Sequence, residues 1–336
     1  MQAYEIVSAD GIDALQLTER PAPQPGPGEV LVRIRASAIN YRDLMTITDP
    51  VSRAIPYPRI PNSDGAGEVL AVGAGVTRFQ PGDRVAGTFF QRWDDGPITA
   101  DAMASAMGGA IDGVLAEQVV LAERGLVHVP AHLSFEEAAT LPCAALTAWH
   151  ALIEKGGLKA GQTVLLIGTG GVSIFALQIA TLQGARAIVI SSSDAKLGRA
   201  GALGAWQGVN YRASPDWERA VLDLTDGVGV DHVVEVGGAG TLERSIAATR
   251  IAGHIALIGV LSGGQINPAP IMRKSLRVDG IYVGSRAMFE AMNRAIAASG
   301  LRPVIDRRFG FEQARDAYHH MQSAAHFGKI VVALDG

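Results

Sequence analysis

The chain has 336 residues, of which 48% are hydrophobic and 18% charged, with a formal net charge of −4. That length exceeds what one small core needs and favours two domains, and the mild negative balance without a basic run gives no reason to expect nucleic acid or an anionic membrane as a partner. A single cysteine, Cys143, excludes an internal disulfide framework and a cysteine-rich structural zinc site.

The opening Met1-Gln-Ala-Tyr-Glu-Ile-Val7 reads as a strand. It has no basic segment followed by a long apolar run, so no signal peptide is expected. The most apolar stretch, around residues 164–167, is far too short to span a bilayer, and a cytoplasmic protein is the expectation. Pro21-Ala-Pro-Gln-Pro-Gly-Pro-Gly28 must be a loop, because proline fixes φ and removes donors. Residues 29–36 alternate apolar and polar, as a half-buried strand does. Residues 65–73 read as another strand, and residues 81–87 as a turn entering a strand. This is the pattern of a small β-barrel-like domain. Residues 89–113 show no clear period and read as an irregular loop with one short helical turn near 100–106. Its Phe89, Phe90 and Trp93 suit either the wall of an apolar substrate pocket or ordinary core and surface positions.

The pattern changes after about residue 122. Ser134-Phe-Glu-Glu137 has the spacing of a capping box. Strands are then predicted at 187–190, 231–236, 254–259 and 278–283, with helices at 196–203 and 242–248 between them. Such alternation argues for a parallel, doubly wound sheet. A helix at 287–298 is expected to close it, and the strand at 329–334 to return to the first domain. The expected organisation is an α/β protein with one domain at 1–124 and 302–336 and a second at 125–301.

The most telling segment is Thr163-Val-Leu-Leu-Ile-Gly168-Thr-Gly170-Gly171-Val172-Ser173. A buried parallel strand runs into a glycine turn and then a helix, the opening of a dinucleotide-binding βαβ unit. Gly168, Gly170 and Gly171 let the backbone approach a pyrophosphate, and the helix N-terminus offers it free N–H groups and a positive dipole end. Ser173 stands where the third glycine is usual, which predicts slightly looser helix–strand packing. The next strand ends in Ile190-Ser191-Ser192-Ser193-Asp194-Ala-Lys196. Ser191, Ser192 and Lys196 are donors suited to a 2′-phosphate, so NADPH is favoured over NADH. Asp194 is the open point: it either faces solvent or takes the ribose-binding acid role and reverses the preference.

Taken together, residues 38–43, Pro61-Asn-Ser63-Asp64-Gly-Ala-Gly67, Pro81-Gly-Asp-Arg-Val85, Leu141-Pro-Cys143-Ala-Ala-Leu-Thr147-Ala-Trp149, the glycine turn and Gly328-Lys329-Ile-Val331 resemble the medium-chain dehydrogenase/reductase superfamily. Within it the likeness is to the zinc-independent quinone oxidoreductase and enone reductase branch. The resemblance implies a GroES-like β-barrel catalytic domain plus a Rossmann doubly wound parallel-sheet domain, with the site in the cleft between them. It implies that Lys196 and Tyr211 hold the 2′-phosphate and that Asn40 and Thr147 lie near the nicotinamide. It also implies that Gly259, Val260 and Leu261, with Val283, Gly284 and Ser285, run past the nicotinamide ribose and carboxamide. Lys329 joins the cofactor contacts. A homodimer or homotetramer is the expected assembly.

Zinc-dependent relatives use a Cys, a His-Glu pair and a second Cys. Here those positions read Asn40, Ser63-Asp64 and Cys143. One thiol does not make the three protein ligands that a catalytic zinc needs, so no metal is expected and Cys143 reads as a packed or cleft-lining thiol. No histidine falls in a metal-ligand spacing, and His319-His320 reads as a surface pair. Without a Lewis acid, conjugate reduction is the easier hydride transfer, since charge spreads onto a distant carbonyl oxygen that hydrogen bonds can stabilise. The expected substrate is a small apolar quinone or α,β-unsaturated carbonyl. Two roles fit Tyr41: proton donor, as in related enoyl reductases, or pocket-wall aromatic with water supplying the proton. Arg42-Asp43 suits a structural ion pair or a hydrogen-bonded turn. The alternatives are a metal-free alcohol dehydrogenase or carbonyl reductase, with Tyr41 or Ser63 polarising the oxygen, and a non-catalytic NADPH-binding protein.

Overall fold

The computed structural model describes residues 1–334; residues 335–336 of the expected first domain lie outside them. The strands in chain order are β1 (Gln2–Ile6), β2 (Leu15–Glu19), β3 (Glu29–Ile39), β4 (Asp64–Val72), β5 (Arg84–Gly87), β6 (Gln118–Ala122), β7 (Leu126–His128), β8 (Thr163–Ile167), β9 (Arg186–Ser191), β10 (Gln207–Asn210), β11 (Val230–Glu235), β12 (Thr249–Leu257), β13 (Arg277–Gly280), β14 (Ile305–Gly310) and β15 (Lys329–Ala333). Two compact units divide them. One comprises Met1–Leu146 with the chain from Val283 onward, the other Thr147–Tyr282.

In the first unit β3 organises the main sheet, whose order is β14-β15-β3-β4-β5-β7 with β6 also on β3. β3 is long because its apolar positions serve two faces, and Val30, Val32 and Ile34 bury against Val69, Val119, Ile330 and Val332. Register then fixes geography. Ile39 opposes Ile330 across one antiparallel pair, and Ala38 opposes Asp64 across the other. The end of β3 and the starts of β4 and β15 therefore meet at one edge of the sheet, which collects Asn40, Asp64 and Lys329 from three distant parts of the chain. The capping box at Ser134 forms as expected, with the Ser134 N–H donating to Glu137 at 2.8 Å and the Glu137 N–H to Ser134 Oγ at 3.1 Å.

Residues 125–146 and 283–301, expected in the second domain, group with the first unit. The reason is pairing. β7 lies against β5, and the helix Arg286–Ser299 sends the Asn293 amide to the His128 carbonyl at 2.9 Å. That helix therefore packs on the antiparallel sheet. The irregular segment holds its short helix at Ala100–Met103.

The second unit is a six-stranded parallel sheet in the order β10-β9-β8-β11-β12-β13. Every residue of β8 is buried, as a central strand covered on both faces requires. Leu165, Ile188, Val233 and Ile255 form its core with Trp217. The order reverses between β8 and β11, and in such sheets ligands bind beyond the carboxyl ends of the strands at that reversal. The strand expected at 278–283 stops at Gly280, and Val283 beyond it has φ 54°, a left-handed backbone no strand can use.

Candidate functional sites of the two units

In the second unit the glycine turn follows β8 directly. Gly168 has φ 76° with open space where a Cβ would stand, so conformation and not crowding demands glycine there. Its N–H still donates to the Ile190 carbonyl at 2.9 Å, which holds the turn against β9. Gly170 caps and Gly171 opens the twelve-residue helix Gly171–Leu182, with Val172 next in its first turn. Free N–H groups at such an end, with the dipole behind them, suit a pyrophosphate. Ser173 does not loosen the packing as expected. Its hydroxyl donates to the Ile167 carbonyl at 2.7 Å and fastens the helix to the end of β8.

At the end of β9, Ser191 is buried and its hydroxyl accepts the Ser193 N–H at 3.3 Å, while Ser192 is half-buried between them. Ser193 caps the helix Asp194–Ala202 by accepting the Lys196 N–H at 3.4 Å. Asp194 thus sits in a helical first turn, exposed, and accepts the Asn210 amide at 2.7 Å. The strand end itself carries serine, not an acid. The Tyr211 N–H donates to the Ser191 carbonyl at 3.1 Å, which brings the exposed Tyr211 ring to the same corner as Ser191 and Lys196. Thr147 is buried at the start of this unit. Gly259 follows β12, and a Cβ there would lie 1.9 Å from the Val236 carbonyl oxygen. Here close backbone approach requires glycine, and the next residues Val260 and Leu261 are left exposed.

In the first unit the helix Tyr41–Thr48 springs from the end of β3. The Asn40 N–H donates to Asp43 Oδ2 at 2.8 Å, and Arg42 pairs with Asp43 Oδ1 at 3.1 Å, so the Arg42-Asp43 dyad is both ion pair and hydrogen-bonded turn. Tyr41 is 46% exposed, which leaves its ring open to a ligand. Asn40 is buried, and its Oδ1 accepts from Lys329 Nζ. The same ammonium donates to the Ile39 carbonyl at 3.0 Å and lies 3.9 Å from Asp64 Oδ2. Asp64 accepts from Ser63 Oγ at 2.8 Å and from the Cys143 N–H at 3.1 Å. Burial raises the Asp64 carboxyl, with Lys329 opposing, and burial pushes the Cys143 thiol well above its ordinary range. Val283 and Gly284 lead to Ser285, whose hydroxyl accepts the Met288 N–H at 3.3 Å as a helix cap; that oxygen is thereby engaged in holding the helix.

Residues 26–131 match the alcohol dehydrogenase GroES-like domain family, and residues 171–298 match the zinc-binding dehydrogenase family. A zinc-type alcohol dehydrogenase-like protein of Schizosaccharomyces pombe is 43% identical over 97% of this chain and 96% of its own. The chain is a medium-chain dehydrogenase/reductase. A quinone oxidoreductase of Pseudomonas aeruginosa is 33% identical over 96% of each chain. The solved structure of an NAD-dependent alcohol dehydrogenase superposes with a TM-score of 0.91 at 36% identity, covering 100% of each chain. The family makes the protein an oxidoreductase with a GroES-like and a Rossmann domain, as the two sheets display.

Whether this dehydrogenase/reductase could hold zinc is a question about its donors. Around Cys143 stand a carboxylate held by two donors, an amide, a hydroxyl and the Lys329 ammonium. The thiol is raised, and a fixed cation occupies the cluster. Among the described residues no group of three His, Cys, Asp or Glu could hold a metal ion. This donor set does not fit a catalytic zinc.

Packing bears on two other expectations. Phe89, Phe90 and Trp93 are core residues, stacked edge to face with the Arg42 guanidinium 4.7 Å from the centre of the Phe89 ring. Through that guanidinium they support the Tyr41 helix. His320 is drawn inward by Asp306 at 2.9 Å, and only His319 is at the surface. Glu235 escaped the sequence reading although it is fully buried. It accepts from the Gly237 and Gly238 N–H groups at 2.7 and 3.2 Å, from Thr241 Oγ1 at 2.6 Å and from Ser245 Oγ, which closes the turn after β11. An acid ending an apolar strand before Gly-Gly was its signal. Among the described residues no helix is long and apolar enough to cross a membrane.

Proposed function

We propose that this protein is an NADPH-dependent reductase that adds hydride to the β-carbon of a quinone or other α,β-unsaturated carbonyl without a metal. The observation that carries the reading is the Lys329 ammonium bound to Asn40 Oδ1 beside Asp64, where a zinc chemistry would need soft, metal-facing donors. NADPH, when bound, supplies the hydride. The chain's own work is to bind, orient and protonate. The Gly168–Gly171 turn and its helix end receive the pyrophosphate. Ser191, Ser192, Lys196 and Tyr211 receive the 2′-phosphate, for which a serine-ended strand with a nearby ammonium is better suited than an acid-ended one. The exposed Tyr41 hydroxyl gives the proton that completes the reduction.

Cofactor oxidation assayed with NADPH and NADH against a quinone, an enone and a saturated ketone tests both halves. Turnover of quinone or enone with NADPH is expected. Turnover of the saturated ketone alone would favour the metal-free alcohol dehydrogenase reading, which the likeness to an NAD-dependent alcohol dehydrogenase keeps in view. Tight NADPH binding without any turnover would favour a binding protein. Lys196→Ala is expected to raise KM for NADPH about tenfold or more, the worth of a charge-assisted hydrogen bond, and to leave NADH unchanged.

A further inference from the structure

We propose that Asn210 is a positioning residue for cofactor choice, acting through Asp194: its amide clips the Asp194 carboxylate to the end of β10, so that this acid does not serve the adenosine ribose and a 2′-phosphate meets no carboxylate at the end of β9. This rests on the reading above that NADPH is the cofactor.

Asp194 is the one acid in the segment from Ser191 to Lys196, three residues beyond the serine that ends β9. An acid near that strand end ordinarily accepts from the ribose hydroxyls and repels a 2′-phosphate. A carboxylate in the first turn of the helix Asp194–Ala202 also suits the helix dipole, so its presence alone does not assign it to the ribose. What decides its role is where the side chain is held. Asn210 Nδ2 donates to Asp194 Oδ1 at 2.7 Å, the short end of the range for a charge-assisted hydrogen bond. The amide cannot reverse without loss, because Asn210 Oδ1 accepts the Arg212 N–H at 3.0 Å and a backbone N–H only donates. One end of the amide is thus spent on the turn after β10, and the other is left for an acceptor. The backbone fixes Asn210 itself. It ends β10 directly opposite Ser191, and its carbonyl accepts the Ser214 N–H at 2.8 Å. The order β10-β9-β8 then sets the direction. β10 lies on the side of β9 away from β8 and its glycine turn, so the clip draws the carboxylate away from the turn assigned to the pyrophosphate. Tyr211 is the next residue, and its N–H continues the ladder to the Ser191 carbonyl. Consecutive side chains of an extended chain leave opposite faces, which separates the exposed Tyr211 ring from the clipped acid.

The test is a double-mutant cycle on the full chain with Asn210→Ala, Asp194→Ala and their combination. Kd is measured by fluorescence for NADPH, NADH and 2′,5′-ADP, the last a probe of the phosphate corner, and Tm shows that each variant is folded. Released from the clip, Asp194 competes for the ribose and repels the phosphate. Asn210→Ala is therefore expected to weaken NADPH and 2′,5′-ADP about tenfold, the effect in water of one charge a few ångströms from a dianion, and to leave NADH no weaker. Asp194→Ala in that background should restore NADPH affinity to within about twofold of wild type. Equal weakening of both dinucleotides by Asn210→Ala, or a loss that Asp194→Ala does not restore, would overturn the proposal and leave the amide a purely structural role. The Asp194→Ala single variant separates the clip from the cofactor reading. A wild type that binds NADH more tightly than NADPH sinks that reading by itself. The clip still predicts that Asp194→Ala leaves NADH affinity within about twofold, because a clipped acid does not touch the ribose. Loss of NADH binding in this variant would make Asp194 the ribose acid and refute the clip.

Discussion

The candidate sites of the two units are built on opposite plans. The glycine turn of the parallel unit is local. Gly168, Gly170, Gly171 and Ser173 lie within six residues of one another, and their partners are the adjoining strand ends. The edge of the antiparallel unit is non-local. Lys329 and Asn40 are 289 positions apart, and Asp64 and Cys143 are 79 apart. The first is made of backbone groups that any sequence of the right shape supplies. The second is made of charged and polar side chains taken out of water, each meaningful only with its partners. Backbone sites tolerate most changes that spare their glycines, whereas buried charge clusters fail when one member is removed.

That contrast can be broken or sharpened by measurement. The largest effect is expected at Asp64→Leu, which strands the Lys329 ammonium without a counter-charge. Breaking a buried pair costs about 3–5 kcal/mol, read as a fall in the urea midpoint, and a loss near 1 kcal/mol would show that the cluster is less interdependent than its geometry implies. Next comes a buried pair in the parallel unit that does not obey the local plan. His232 and His254 face each other across β11 and β12, with Nδ1 atoms 3.2 Å apart. Burial, helped by Arg277 and Arg250 and opposed by Asp231 and Asp279, lowers both to about 4, against an ordinary value of about 6.5. The fold therefore favours the neutral rings. Their contribution is complete above about pH 6.5 and is lost as pH falls toward 4, on the order of 3 kcal/mol for each ring. Urea unfolding at pH 7 and pH 4.5 should show this slope, and His232→Asn/His254→Asn should flatten it. Gly168→Ala is expected to cost about 1–2 kcal/mol through its left-handed φ and to weaken NADPH binding by roughly tenfold; an unchanged Kd would detach the turn from the cofactor. Smallest is Ser173→Ala, about 1 kcal/mol for one buried hydrogen bond, checked by Tm with cofactor affinity unaltered.

Val283 adds a cost that none of these covers. A β-branched residue at φ 54° stores about 1–3 kcal/mol of backbone strain. It stands at the junction where the chain leaves the parallel unit, and no sequence pattern pointed to its left-handed backbone.

What neighbours in sequence decide was legible in the sequence. Strand β8, the glycine turn, the Ser134–Glu137 capping box and the serine-ended β9 all follow from side-chain period and from hydrogen bonds spanning a few residues. The domain boundaries were less legible, because the helix Arg286–Ser299 carries an ordinary amphipathic pattern that does not say which sheet it covers. The aromatic cluster at Phe89, Phe90 and Trp93 was ambiguous for a like reason: an apolar ring suits a core and a pocket equally until its surroundings are fixed.

The sequence by itself determined that a dinucleotide turn exists and that, of the zinc-ligand residues of related enzymes, only the cysteine at Cys143 is kept, since both depend on residue type at short spacing. Only the tertiary structure decided what stands in their place. Antiparallel register brings Ile39 opposite Ile330 and Ala38 opposite Asp64, and so gathers a lysine, an amide and a carboxylate that have no relation along the chain. The physical reason is that the energy of a buried charge is set by the partners that surround it, and those partners are chosen by the fold.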